Sequence, residues 1–228
     1  MLQYSCAIFG LTKTAARRKK MNTVAVTKNS AKRAMSKVQR MTMLAILAAI
    51  VIVLQVAVSI PLGPFTITLT LVPIIIGAIL DGPAGGAFLG AVFGAVVSIQ
   101  VITGAAGAFS TMMLEYQPVA TILVCLLKGT LAGLVSGLFF RLFSRIHYYS
   151  GVLLAAIIAP IVNTGIFSVA ALTIFRGLIA GALGTDQNLL GVFLTTFIGL
   201  NFVVEFAINV ALTPVIIRIV RIVKKDRN

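Results

Sequence analysis

The charged residues of this chain avoid its middle. Of 19 Lys and Arg, ten lie between Lys13 and Arg40 and five between Arg218 and Arg227. The stretch between them is a series of apolar runs separated by short breaks. Wound as helices, runs of about 20 apolar residues match a hydrocarbon core about 30 Å thick. In lipid, backbone N–H and C=O groups are satisfied only within helices or closed barrels. The pattern predicts an all-α membrane protein. Composition agrees: 59% of residues are hydrophobic and the mean hydropathy is +1.08. A soluble domain of 228 residues could not cover that much apolar side chain with polar surface.

The breaks divide the runs into six expected spans. The first covers about 41–60 and stops at Pro61-Leu-Gly-Pro64, which no helix interior tolerates. Residues 65–70 alternate in polarity and are β-prone, so they are expected as an extended loop. The next span follows and ends at the turn Asp81-Gly-Pro83, with proline placed to start the third helix. The remaining spans are expected at about 84–102, 118–140, 151–175 and 189–217. Span two is short for a bilayer and span six is long, which tilt or a re-entrant start would absorb. Domain organisation follows: a basic, disordered leader over 1–36, one six-helix transmembrane domain over 37–223, and a basic tail over 224–228.

With six spans, both termini, the Asp81 turn and the Arg141–Arg145 loop share one side. That side holds 17 of the 19 basic residues; Arg176 falls on the other and Lys128 within a span. The positive-inside rule therefore expects both termini in the cytoplasm and the chain in a bacterial plasma membrane. The net charge of +14 is assigned to topology and to anionic lipid headgroups, not to nucleic acid, because the basic residues flank apolar spans instead of interleaving with aromatics. Two cysteines, Cys6 and Cys125, give neither a disulfide framework nor a metal site.

Small residues recur at four-residue spacing. Gly86, Gly90 and Gly94 form one stripe on the third span, and Gly129, Gly133 and Gly137 form another on the fourth. Such stripes let helix backbones approach closely in lipid, and packing inside the bundle is the expected use. Ala45 and Ala49 make a smaller stripe on the first span; spacing leaves open whether it packs internally or docks a partner.

Polar side chains within the spans are few, and their burial in lipid is costly enough to mark a site. They are Gln55, Gln100, Lys128, Asn163, Asn201, Glu205 and Asn209, with Thr164 and Ser168 as weaker members. Lys128 lies 13 residues before Arg141, Glu205 13 before Arg218, and Asn163 13 after Ser150 on a helix running the other way. Each is thus roughly 20 Å above the inner boundary. Polar groups from up to five helices are expected to meet in one layer within the outer half of the membrane, as in a cavity that admits a solute from outside. Two simpler readings stay open: Lys128 and Glu205 as a structural ion pair, and the Asn residues as interhelical hydrogen-bond glue. Arg176 fits a snorkelling anchor. The sequence lacks HExxH, GxSxG and Walker A motifs, and its one histidine, His147, lies away from the layer. No enzyme activity, cofactor or metal is expected.

The chain resembles the substrate-binding S components of energy-coupling factor (ECF) vitamin transporters. The resemblance rests on Ala45-Ile-Leu-Ala-Ala49, Gly63-Pro-Phe-Thr-Ile-Thr-Leu69, Val72-Pro-Ile-Ile-Ile-Gly77, Asp81-Gly-Pro-Ala-Gly-Gly-Ala-Phe-Leu-Gly90, Pro160-Ile-Val-Asn-Thr-Gly165 and Asn201-Phe-Val-Val-Glu205, in that order, over about 37–223. It implies a six-helix bundle that captures a vitamin and joins a transmembrane coupling subunit and two cytoplasmic ATPase subunits. It also implies that Ala45 and Ala49 dock the coupling subunit, and that Gln117, Lys128, Asn163, Asn201 and Glu205 contact the substrate ahead of Gln55 and Gln100. Pantothenate-type members are the most similar, and a buried lysine with several amides suits a small hydroxylated carboxylate. The alternatives are another vitamin (folate, riboflavin, pyridoxine or cobalamin) or a stand-alone proton- or ion-coupled carrier that titrates Glu205 and Lys128.

Overall fold

The computed structural model describes residues 37–57, 60–62, 65–67, 69–183, 191 and 200–225. The 1–36 leader and the start of the expected sixth span lie outside the described residues. Helix α1 (Lys37–Ala57) begins one turn earlier than the apolar run, taking Lys37 and Arg40 into its first turn. Long basic side chains can do this because their stems lie along apolar surface while their heads reach the interface. The alternating segment after α1 is more ordered than an extended loop. It forms the antiparallel hairpin β1 (Ile60–Leu62) and β2 (Phe65–Ile67), with Ile60 opposite Ile67 and Leu62 opposite Phe65. This hairpin is the one departure from helix among the described elements.

Helix α2 (Leu71–Asp81) has 11 residues, about 16 Å of rise, which is half a hydrocarbon core. Eight of the 11 are buried, so α2 is the centre of the bundle and not a lipid-facing span. Around it pack α1, α3 (Pro83–Ile102), α5 (Pro118–Phe143), α6 (Tyr148–Thr173) and α9 (Thr213–Lys225). The shared core includes Val51, Leu71, Ile74, Ile75, Leu89, Ala155, Ala159, Ile216 and Val220. Short helices α4 (Ala108–Tyr116) and α7 (Arg176–Leu183) build a further apolar cluster of Phe109, Met113, Ala171, Phe175 and Ile179, against which Phe167 and Phe202 pack.

Four helices, α1, α3, α5 and α6, are each long and apolar enough to cross a membrane. Helix α8 (Leu200–Ala211) and α9 make a fifth if taken as one bent span, with 44° between them. The bend has a chemical cause. Pro214, in the first turn of α9, has no N–H to continue the ladder. At the same place the Thr213 hydroxyl donates to the Asn209 carbonyl at 3.3 Å. The chain is thus a multi-pass, helical membrane protein.

The two glycine stripes mesh with each other. A Cβ on Gly86 would strike the Gly133 carbonyl oxygen, one on Gly90 that of Gly129, and one on Gly94 would come 2.6 Å from that of Cys125. Antiparallel α3 and α5 therefore touch backbone to backbone along three turns. No hydrophobic effect drives helices together in lipid, so this close approach is what holds them.

The basic segments converge on one end of the bundle. The guanidinium of Arg40 on α1 pairs with the Asp81 carboxylate at the end of α2. Gly82 turns the chain with φ +84°, a conformation that favours glycine. The end of α5 meets the start of α3, since a Cβ on Gly137 would lie 2.7 Å from Pro83 Cα. The Arg221 guanidinium sits over the Tyr149 ring at 4.8 Å, fastening α9 to the first turn of α6.

Candidate functional site

Helix α5 carries two kinds of surface. Gly129 faces α3 in the glycine seam. Lys128, one residue earlier and therefore rotated by about 100°, places its Nζ 5.4 Å from the centroid of the Phe167 ring on α6. Asn163 lies one turn before Phe167 on α6 and is buried. Helix α8 packs on α6 as well and brings Glu205 and Asn209, which are 7% and 1% exposed. Three of the expected site residues, Lys128, Asn163 and Glu205, thus come from helices packed in series, α5 to α6 to α8.

Their hydrogen bonding is incomplete. The Asn209 Nδ2 donates to the Glu205 backbone carbonyl at 2.8 Å, while its Oδ1 is buried without a partner. The Asn163 Oδ1 is likewise buried and unpartnered. An orphaned buried acceptor costs about 1–3 kcal/mol, so each of these two, on the packed helices α6 and α8, is a group that a donor would stabilise. Lys128 and Glu205, both described, do not form a direct ion pair. They do lie close enough to interact electrostatically.

The other polar residues separate clearly. Gln55 Nε2 donates to Gln100 Oε1 at 2.7 Å, and Gln100 Nε2 donates to the Gln55 backbone carbonyl at 3.0 Å. The Thr70 hydroxyl donates to Gln55 Oε1 at 2.8 Å. These contacts tie α1, α3 and the start of α2 together and use the amides on each other. Ser168 donates to the Thr164 carbonyl one turn back, at 2.6 Å, and is satisfied within its own helix.

Gln117 stands apart. It forms the exposed corner between α4 and α5, 11 residues from Lys128, or about 16 Å along the helix axis. The Thr121 hydroxyl holds that corner by donating to the carbonyls of Met113 and Gln117. Asn201 lies in the first turn of α8, and its side chain is outside the described part of the structure. Ala45 and Ala49 are exposed, in the middle of the α1 face opposite buried Leu47, Val51 and Gln55.

Two residues gain weight from the structure. Asn209 is more buried than Gln55, Asn163 or Glu205; its spacing of four from Glu205 already put both on one face. Phe167 receives the Lys128 ammonium and also packs on the apolar cluster of α4 and α7. The signal for it was the same spacing of four, counted from Asn163, but an aromatic in an apolar span has no polarity to distinguish it.

The family model described as ECF transporter, substrate-specific component, matches residues 39–217. Among curated proteins, none matches the chain.

Proposed function

From the premise that this chain belongs to the family of ECF transporter substrate-specific components, and so is a transport subunit and not a catalytic one, we propose that it captures a water-soluble vitamin, pantothenate first. The observation that carries this reading is the pair of buried Asn163 and Asn209 side-chain oxygens on α6 and α8 that lack donors, with the Lys128 ammonium of α5 turned toward α6. Lys128 supplies a cation for a carboxylate. The Asn163 and Asn209 side-chain oxygens accept from hydroxyl or amide groups, and Glu205 accepts from a hydroxyl or balances Lys128. Asn201 and Gln117 complete the proposed set from α8 and from the α4–α5 corner. A small hydroxylated amide-carboxylate uses all of these chemistries at once. Folate, riboflavin, pyridoxine and cobalamin are the competing cargoes.

The proposed topology has six crossings: α1, α2 with its hairpin, α3, α5, α6 and the bent α8–α9. Both termini lie in the cytoplasm of a bacterial cell, on the basic side. Ala45 and Ala49 dock the coupling subunit; their exposure at the centre of an apolar helix face supports this. Two separate ATPase subunits supply the energy.

Mass spectrometry of small molecules that co-purify with the chain, followed by calorimetric titration of the five vitamins, tests the cargo. Pantothenate is expected to bind and the others not to; tight binding of another vitamin with silence from pantothenate reassigns it. Ala45→Trp is expected to leave titrated affinity unchanged while abolishing uptake in cells that carry the coupling module. Uptake that persists without the ATPase subunits would remove the coupled mechanism.

A further inference from the structure

Donors and acceptors are not balanced among the buried polar side chains of α5, α6 and α8. The Glu205 side chain on α8 is buried, and no described residue donates a hydrogen bond to it. One turn along, Asn209 spends its Nδ2 on the Glu205 backbone carbonyl, and its Oδ1 has no partner. At these two positions α8 offers oxygens and no spare donor. On α6, against which α8 packs, the Asn163 Oδ1 is a further unpartnered oxygen. The cation stands on α5. Lys128 is half-buried and close enough to Glu205 to interact electrostatically, yet forms no direct ion pair with it. The other described cations lie in the basic segments and the Arg141–Arg145 turn or, as Arg176, exposed at the start of α7.

We propose that Glu205 selects solutes by charge: it takes neutral hydroxyl or amide donors at the α8 side of the layer and turns away any anionic group beyond the one that Lys128 can hold. The inference rests on the reading of this layer as the solute site. A neutral donor supplies the hydrogen bond that the fold withholds from a buried carboxylate, so its binding is favoured. A second anion does the opposite. It sets like charge beside Glu205 where little water screens the repulsion. Lys128 carries one positive charge, which one carboxylate of the solute uses up. The class that fits is therefore a monocarboxylate with neutral donors elsewhere, and the phosphate ester of such a solute is excluded.

The test is calorimetric titration of the full chain in detergent with pantothenate and with the phosphate ester of its primary hydroxyl. Wild-type protein is expected to bind pantothenate at least about a hundredfold more tightly than the ester. Glu205→Gln keeps an acceptor of the same shape and removes the charge. It is expected to bind the ester about tenfold more tightly than wild type does, while pantothenate weakens only about threefold. Glu205→Ala deletes charge and acceptor together; it too is expected to admit the ester, with pantothenate weakened about tenfold. Asn209→Ala opens space beside Glu205 without touching the charge, and the ester should stay excluded. Equal affinity of wild type for the two ligands overturns the proposal, as does an ester still excluded from both Glu205 variants. An ester admitted by Asn209→Ala as well as by Glu205→Gln would show exclusion by size and overturn it too. In each of these cases pantothenate still binds wild type, so the cargo reading stands. Silence from pantothenate in wild type, with another of the five vitamins bound, removes both.

Discussion

The two sides of α5 are built on opposite terms. Toward α3 it presents glycines, and the two backbones close until a single Cβ would collide with a carbonyl. Toward α6 it presents Lys128, and beyond it lie buried acceptors with no donors. The first surface is finished within the chain, and nothing can enter it. The other is unfinished among the described residues. One helix therefore joins a rigid seam to an open polar layer, and residues 128 and 129 separate the two by a rotation alone. The Gln55–Gln100 pair sharpens the contrast, because it shows that polar groups in this bundle can be fully used on each other when the fold permits.

If the seam is closed, Gly90→Val should have the largest effect. Its side chain meets the Gly129 carbonyl and the Thr130 backbone, neither of which can rotate away, and a loss of about 3 kcal/mol or more is expected. Thermal unfolding in detergent would show it as a large fall in Tm. Gly165→Ala, on an open face of α6 with nothing within 4 Å, should leave Tm unchanged or slightly raised. Equal behaviour of the two glycines would break the comparison.

If the layer is open to a ligand, Lys128→Ala and Asn163→Ala should each weaken calorimetric affinity by about 10–100-fold, the worth of a charge-assisted or buried hydrogen bond. Tm without ligand should stay near the wild-type value, since Asn163 has a buried oxygen without a partner and Lys128 is a half-buried charge with no direct ion pair. A large drop in apo stability with unchanged affinity would show that both residues serve the fold alone. Gln100→Leu should do the reverse, costing about 0.6–1.7 kcal/mol of stability while affinity is kept. The smallest effect is expected at Phe167→Leu. The apolar contact survives and the ring face under Lys128 is lost, so affinity should fall about twofold; no change would mean that the ring merely fills space.

Much of the fold was legible because lipid simplifies the code. Length of apolar run, proline and glycine breaks, and the placement of charge were enough for helical spans, for the Asp81-Gly82-Pro83 turn and for the shared end of the basic segments. Glycine spacing identified both seam surfaces, although it did not say that they were each other's partners. The candidate site was legible less evenly. Depth along a helix follows from counting residues, and it selected Lys128, Asn163 and Glu205 together. Rotation about the axis and the choice of neighbour do not follow from counting, so depth alone kept Gln55 and Gln100 in the layer, and only the resemblance ranked them lower, until the fold bonded them to each other.

The sequence by itself determined that this chain crosses a membrane as helices and how its charge is distributed, because each of those depends on the local balance between apolar side chains and water. Tertiary structure alone decided which buried polar atoms are satisfied. It also decided that 11-residue α2 is the bundle's centre and that two Ala residues on α1 stay uncovered. A hydrogen bond or a packed face is a relation between residues distant in the chain, and its partner is chosen by how whole helices pack.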